Sequence, residues 1–290
     1  RDMDRHTAII DNIGAHHCRM WPLDLALWDL NGKIEGEPVW KLLGGTSPDV
    51  PLYASTGSLR DPKVLAEMGR EYRAQGYEAI KLRFGRPSED TDIEALARVR
   101  EAVGDEVSLM VDVNHGWRMP WDIHPGPSLE EIMALEQRTR EHNLFWLEEP
   151  LHPFDVRSHA ALAKAIRIPI AIGETVYTVY GFREYIDQQA AAVLQADVTK
   201  LSGIEEWLEV AALGQTHGLP VIPHTNVQQN VHAQLAAATI NTPMIECCYE
   251  SLFDIWENPV RVVDGYYTLP EVPGINGKLT DTVLKKFRVC

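Results

Sequence analysis

From Val50 onward, short apolar runs of strand length alternate with longer stretches in which apolar residues recur every three or four positions. The runs read VPLYAST, AIKLRF, VSLMVDVN, LFWLEEP, PIAIGET, AVLQADV, LPVIPHT and PMIECC. Between them lie VLAEMGREYRAQG, DIEALARVREAVG, SLEEIMALEQRTREH, HAALAKAIR, GFREYIDQQA, IEEWLEVAALGQTHG and HAQLAAATIN. Runs that are apolar at nearly every position predict strands buried on both faces, as in a parallel sheet, and the periodic stretches predict crossover helices. Asp61 and Pro62 mark the first of these helices as cap and first-turn proline, and Gly76 ends it. Eight strands alternating with single helices over about 200 residues predict a closed α/β barrel, whose functional groups sit at the C-terminal strand ends.

Residues 1–47 read differently. They predict polar-faced helix with one apolar segment, in which Leu23, Leu27, Leu30 and Ile34 share a helical face, then a second short helix from near Pro38 that Gly44-Gly45 stops. Asp24 and Asp29 read as ordinary helix charges. The chain does not open on Met, which suggests an N-terminal portion outside this sequence. One insertion, HGWRMPWDIHPGPS, breaks the barrel rhythm with two Trp, three Pro and two His. It is too irregular for a helix and too apolar for a solvated linker, as expected of a loop folded over a pocket.

Composition narrows the classes. A chain of 290 residues, 45% hydrophobic, buries one large core with room for a small accessory piece. A formal charge of -15 offers no footprint for nucleic acid or an anionic bilayer, and no apolar run reaches membrane-spanning length. Cys18, Cys247, Cys248 and Cys290 have neither zinc-ligand spacing nor a disulfide framework, which fits a reducing, cytoplasmic setting.

The chemistry lies where the apolar runs stop. Asp112, Glu148 and Glu174 end three successive strands, and isolated carboxylates there are costly unless a shared cation compensates them. Three oxygen donors with no cysteine favour Mg2+ over zinc. Asn114 and Glu149, each beside a ligand, are placed to hold the carboxylates or meet water on the metal. Lys81 and Arg83, two residues apart on one strand, point to one face and toward the substrate at the mouth. His224 arrives from the opposite side, with Asp197 at the preceding strand end to orient the imidazole and raise its pKa. A carboxylate substrate on such a metal has an acidified α-proton, because the enediolate left by its removal is stabilised by positive charge.

The order KLR, VDVN, WLEEP, IGET, QADV and PHT, closing with IEC, resembles the enolase superfamily, specifically its mandelate racemase-like members, over nearly the whole chain. The resemblance implies a modified TIM barrel, (β/α)7β, with an α+β capping domain partly missing here. Residues 1–49 then correspond to the helical part of the cap, 50–254 to the catalytic barrel and 255–290 to a segment returning to the cap. It places the metal ligands on Asp112, Glu148 and Glu174, the dyad on His224 and Asp197, the strand-two pair on Lys81 and Arg83, and an acid that meets the substrate carboxylate on Glu246. It also implies a small-molecule carboxylate substrate and favours a homo-oligomer.

Arg83 departs from the lysine that racemases of this family use as a second base, since a guanidinium stays protonated. The expected reaction is therefore Mg2+-dependent dehydration of an aldonic or aldaric acid to a 2-keto-3-deoxy acid, with His224 removing the α-proton and returning it to the departing hydroxyl. Lys81 remains a possible base if desolvated. Epimerisation, lactone cycloisomerisation and a non-catalytic, metal-stabilised scaffold are the alternatives. The segment from His115 to Ser128 either supplies part of the pocket wall, with His115, Trp117 and His124 as candidate hydroxyl contacts, or packs at an interface.

Overall fold

The computed structural model describes residues 20–115, 126–225, 229–248, 254–259 and 261–287. Strands β1 Asp49–Ser55, β2 Ala79–Arg83, β3 Ser108–Asp112, β4 Leu144–Glu148, β5 Ile170–Ile172 and β6 Val193–Leu194 follow one another, and β7 Ile245–Cys247 returns to β1. Each pairs with its neighbour in parallel, in the order β6-β5-β4-β3-β2-β1-β7. The segment LPVIPHT, expected as a full strand, contributes one parallel bridge from Leu194 to Val221. Pro220 and Pro223 flank it and have no N–H to give to a ladder. Ile222 still donates to Leu194 O at 2.8 Å, and Thr225 Oγ1 crosses to Glu246 O at 2.7 Å. Counting that segment, seven helices separate eight strand positions: α3 Pro62–Ala74, α4 Glu89–Val103, α5 Leu129–Thr139, α6 Val156–Ala165, α7 Thr178–Asp187, α8 Ile204–Thr216 and α9 Gln229–Ala237. This is a (β/α)7β arrangement.

Local signals start the helices where the sequence predicts. The Asp61 side chain accepts the Lys63 N–H ahead of Pro62, and Ser128 and Glu131 form a reciprocal capping box at the start of α5. The strands bury both faces. Their outward residues join one large core with the helices, including Leu82, Leu96, Val111, Leu147, Ile172 and Trp207. Their inward residues form a second cluster of Tyr53, Ala79, Met110, Trp146, Ala171, Val193 and Ile222, with Met244 against it. Each strand position supplies one member. Side chains therefore fill the barrel, small Ala79 and Ala171 leaving room for Tyr53 and Trp146, whose rings meet edge to face at 5.4 Å.

Two preceding helices, α1 Trp21–Glu35 and α2 Val39–Leu42, lie where helix was predicted, but the apolar stripe of α1 faces outward. Leu23, Leu27, Leu30 and Ile34 are 44%, 43%, 51% and 69% exposed. The opposite side makes the attachment, with Leu25 in the core, Trp21 and Trp28 packed against it, and two aspartates bonded to distant backbone. Asp24 Oδ2 accepts the Ile204 N–H at 2.7 Å, capping α8 from 180 residues away, and Asp29 Oδ1 accepts the Ile275 N–H at 3.0 Å. Gly32 lies against Gly274, so close that a Cβ at Gly32 would come within 2.6 Å of that backbone. A hairpin of β8 Val262–Val263 and β9 Tyr266–Thr268 extends the sheet antiparallel from the first residues of β1. No helix among the described residues is long and apolar enough to cross a membrane.

Candidate active site

Strand geometry derives the site from the interior ring. Side chains two residues apart share a face, so each member of the apolar ring predicts the identity of the layer above it. Advancing two positions from Tyr53, Ala79, Met110, Trp146, Val193, Ile222 and Met244 gives Ser55, Lys81, Asp112, Glu148, Gln195, His224 and Glu246. On β5 the same step from Ala171 reaches Gly173, at φ +145°. A Cβ there would lie 2.7 Å from the Gln195 backbone, so glycine permits the close approach of the two strands and the turn that presents Glu174.

Asp112, Glu148 and Glu174 are all buried, and one carboxylate oxygen from each lies within 4.8 Å of the others. Burial, reinforced by the charge of Glu148, pushes the Asp112 carboxyl well above its usual range. Burial likewise raises Glu148 against the opposing pull of Lys81, and raises Glu149 to about 9 with help from Glu174. This is the electrostatic signature of a cluster that a divalent cation would relieve, and three hard oxygen donors fit Mg2+. Asn114, in a left-handed conformation at φ 53°, holds both Asp112 oxygens through its N–H at 2.8 Å and its amide at 2.7 Å. Glu149, at φ 43°, accepts a 2.6 Å hydrogen bond from Thr175.

Lys81 is buried and spends its ammonium on two acids, with Nζ 2.8 and 2.9 Å from the Glu148 oxygens and 3.0 Å from Glu246 Oε1. Burial alone would lower its pKa, but Glu148 and Glu246 hold it well above the usual value. The sequence leaves Lys81 open as a base; the structure places its ammonium in ion pairs with Glu148 and Glu246. Arg83, by contrast, reaches the mouth with its side chain 37% exposed and Nη2 3.6 Å from Asp112 Oδ2. Glu246 also accepts the Thr225 N–H at 3.1 Å, and Lys81 and His224 lower its pKa despite burial.

His224 Nδ1 meets Asp197 Oδ2 at 2.8 Å, which leaves Nε2 facing the carboxylates, 3.5 Å from Glu174 Oε2. Burial opposes a charged ring here, yet Asp197 and Glu174 raise the imidazole to about 10, and the same bond takes Asp197 down to about 2 against its own burial. A cation on Glu174 would offset part of the pull on His224.

His115 donates its N–H to Glu149 O at 3.2 Å. It lines a cavity of about 400 Å³ with Phe84, Arg86, Asp92 and Glu131; among the described residues its lining includes none of the three clustered carboxylates. Trp117 and His124 lie outside the described residues. Sequence reasoning missed Thr175, Thr199 and Thr225, which bond Glu149, Asp197 and Glu246, and Trp146, whose Nε1 donates to Glu148 at 3.2 Å. The hydroxyl signal was visible, since a threonine stands one or two residues after each of Glu174, Asp197 and His224.

Residues 63–281 match the model of the family described as "Enolase C-terminal domain-like". The chain belongs to this family. Among its curated relatives, the arabinonate dehydratase of Saccharolobus solfataricus is 30% identical over 92% of this chain and 71% of its own length. The L-talarate/galactarate dehydratase of Salmonella typhimurium is 34% identical over 90% of this chain, which spans 63% of that relative. The crystal structure of L-talarate dehydratase from Polaromonas sp. JS666, complexed with Mg and L-glucarate, superposes with a TM-score of 0.84 at 30% identity, covering 99% of this chain and 80% of that one. This chain and that solved relative thus share one fold over the matched span.

Proposed function

We propose that this chain removes the proton α to the carboxylate of a sugar acid in a Mg2+-dependent reaction and dehydrates an aldonic or aldaric acid to a 2-keto-3-deoxy acid. The observation that carries this reading is the convergence of one hydrogen-bonded His224–Asp197 pair on three buried carboxylates at a single barrel mouth. The relatives named dehydratases support the substrate class. Asp112, Glu148 and Glu174 would hold Mg2+, which when bound supplies the positive charge that acidifies the α-carbon of a carboxylate ligand.

The chain's residues do the rest. His224 in its neutral form takes the α-proton at Nε2, with Asp197 fixing the ring through Nδ1. Arg83, permanently charged and half-open to solvent, balances the negative charge that develops on the substrate carboxylate. As the β-hydroxyl leaves, His224 gives it the same proton, so the C–H and C–O bonds break, water departs and the enol product rearranges to the keto acid. Glu246, held by Lys81 and Thr225, hydrogen-bonds the substrate carboxylate when it carries a proton, since two carboxylates share a hydrogen bond only with a proton between them.

The same reading treats residues 1–49 and 255–290 as one capping unit, supported by the Asp29–Ile275 and Gly32–Gly274 contacts. It takes the protein to be cytoplasmic and homo-oligomeric, in keeping with the thiols at Cys247 and Cys248 and the outward apolar stripe of α1. Incubation of the protein and Mg2+ with a panel of aldonic and aldaric acids tests the activity. A 2-keto-3-deoxy product from one or a few members is expected. Solvent deuterium at the α-carbon without keto acid would replace dehydration by epimerisation, and neither signal would favour the non-catalytic scaffold.

A further inference from the structure

Behind the His224–Asp197 pair stands a second histidine that the proposed reaction does not use. His232, on α9, is 0% exposed. Its Nε2 accepts the backbone N–H of Val198 at 3.1 Å and lies 3.5 Å from Asp197 Oδ1. A ring nitrogen that accepts an N–H carries no proton, so the bond to Val198 requires an imidazole bearing any proton at Nδ1. In that form His232 offers Asp197 Oδ1 a lone pair, not a donor, and Oδ1 takes its bonds from the Thr199 N–H and Oγ1, both at 2.8 Å. The other oxygen, Oδ2, is left to His224.

We infer that His232 is a positioning residue, which fixes the aim of the dyad by anchoring the peptide that follows Asp197. This inference rests on the function proposed above. The physical need is local. The regular part of β6 ends at Leu194, so Asp197 lies beyond the ladder; the peptide before it is held by Trp207 Nε1, which donates to Ala196 O at 2.8 Å, and the peptide after it by the Val198 N–H bond to His232. Val198 is fully buried, and its N–H would lose its acceptor if the imidazole were removed. Rotation of that peptide would carry the Asp197 carboxylate with it and turn the His224 ring about its short bond. Ring charge would act in the same direction. A protonated His232 would donate to Oδ1, give up Val198 and compete for the carboxylate that orients His224.

Two variants and one spectroscopic measurement test this. Glutamine places an amide oxygen near the position of Nε2, so His232→Gln keeps an acceptor for Val198, whereas His232→Leu keeps the bulk and removes it. With Mg2+ and a turned-over sugar acid, His232→Leu is expected to lower kcat on the order of 10- to 100-fold, the scale of a misaimed catalytic group, with KM and Mg2+ affinity within about threefold of wild type. His232→Gln is expected to recover most of that loss. Equal losses in both variants, or a wild-type kcat in His232→Leu, would overturn the inference. Nitrogen NMR of the histidine-labelled full chain gives a readout independent of turnover. The resonances lost in His232→Gln should belong to a neutral ring protonated at Nδ1, and a ring protonated at Nε2 would overturn the assignment even if no substrate were found.

Discussion

A lysine at 3% exposure between two glutamates is the counter-ion both acids share, and Lys81 can be tested on that ground. Replacing it by Met preserves bulk but strands Glu148 and Glu246 as uncompensated buried acids. Breaking such a pair costs about 3 kcal/mol or more, so Lys81→Met should melt well below the wild type, and added Mg2+ should recover part of the difference by compensating Glu148. An unchanged melting temperature would show that the ammonium carries no such load. The residue scale is also where the sequence was least complete. Acids and bases at strand ends were legible because a charge after an apolar run is conspicuous. The partners that decide their roles were not, since Lys81, Glu148 and Glu246 come from β2, β4 and β7, and only closure of the sheet brings them together. Period two places Lys81 on the inward face; it gives no information on depth, and depth is what brings its ammonium against Glu148 and Glu246.

At the scale of elements, the alternation of apolar runs and amphipathic stretches gave the strand and helix order almost directly, because the two periodicities differ and each run has the length of its element. It failed where another constraint ruled. The proline-flanked segment around Val221 reads as a strand by hydrophobicity but lacks the donors for one. Helix α1 reads as a helix with Leu23, Leu27, Leu30 and Ile34 on one face, yet that face is exposed, and Leu25, Trp21 and Trp28 attach the helix together with Asp24 and Asp29, which bond backbone N–H groups at Ile204 and Ile275, partners too distant in sequence for periodicity to reveal. The turn after β5 makes an element-level prediction. Gly173→Ala forces a Cβ at φ +145° against the Gln195 backbone, a strain costing about 2 kcal/mol. Its melting temperature should fall by several degrees, and Mg2+ affinity should fall with it, because Glu174 is the next residue. Wild-type affinity in this variant would mean that Glu174 does not depend on the turn.

Across the whole molecule, one geometric rule links fold to site. Eight inward positions form a packed apolar ring, and the next inward positions carry Lys81, Asp112, Glu148, His224 and Glu246, so the barrel that supplies stability also sets the spacing of these groups. The net charge of -15 works against an anionic substrate, and the mouth answers it locally with Arg83 and with carboxylates suited to a divalent cation. The central claim is that His224 removes an α-proton in a Mg2+-dependent step. It is tested most directly by following the α-proton of a sugar acid by NMR in D2O, comparing wild type with His224→Asn in the presence of Mg2+ and after its removal by chelator. The account predicts loss or exchange of that proton by the wild type only with Mg2+, and a rate lower by ~1,000-fold in His224→Asn, with Mg2+ affinity retained. Exchange at the wild-type rate in His224→Asn, or exchange that survives the chelator, would contradict it.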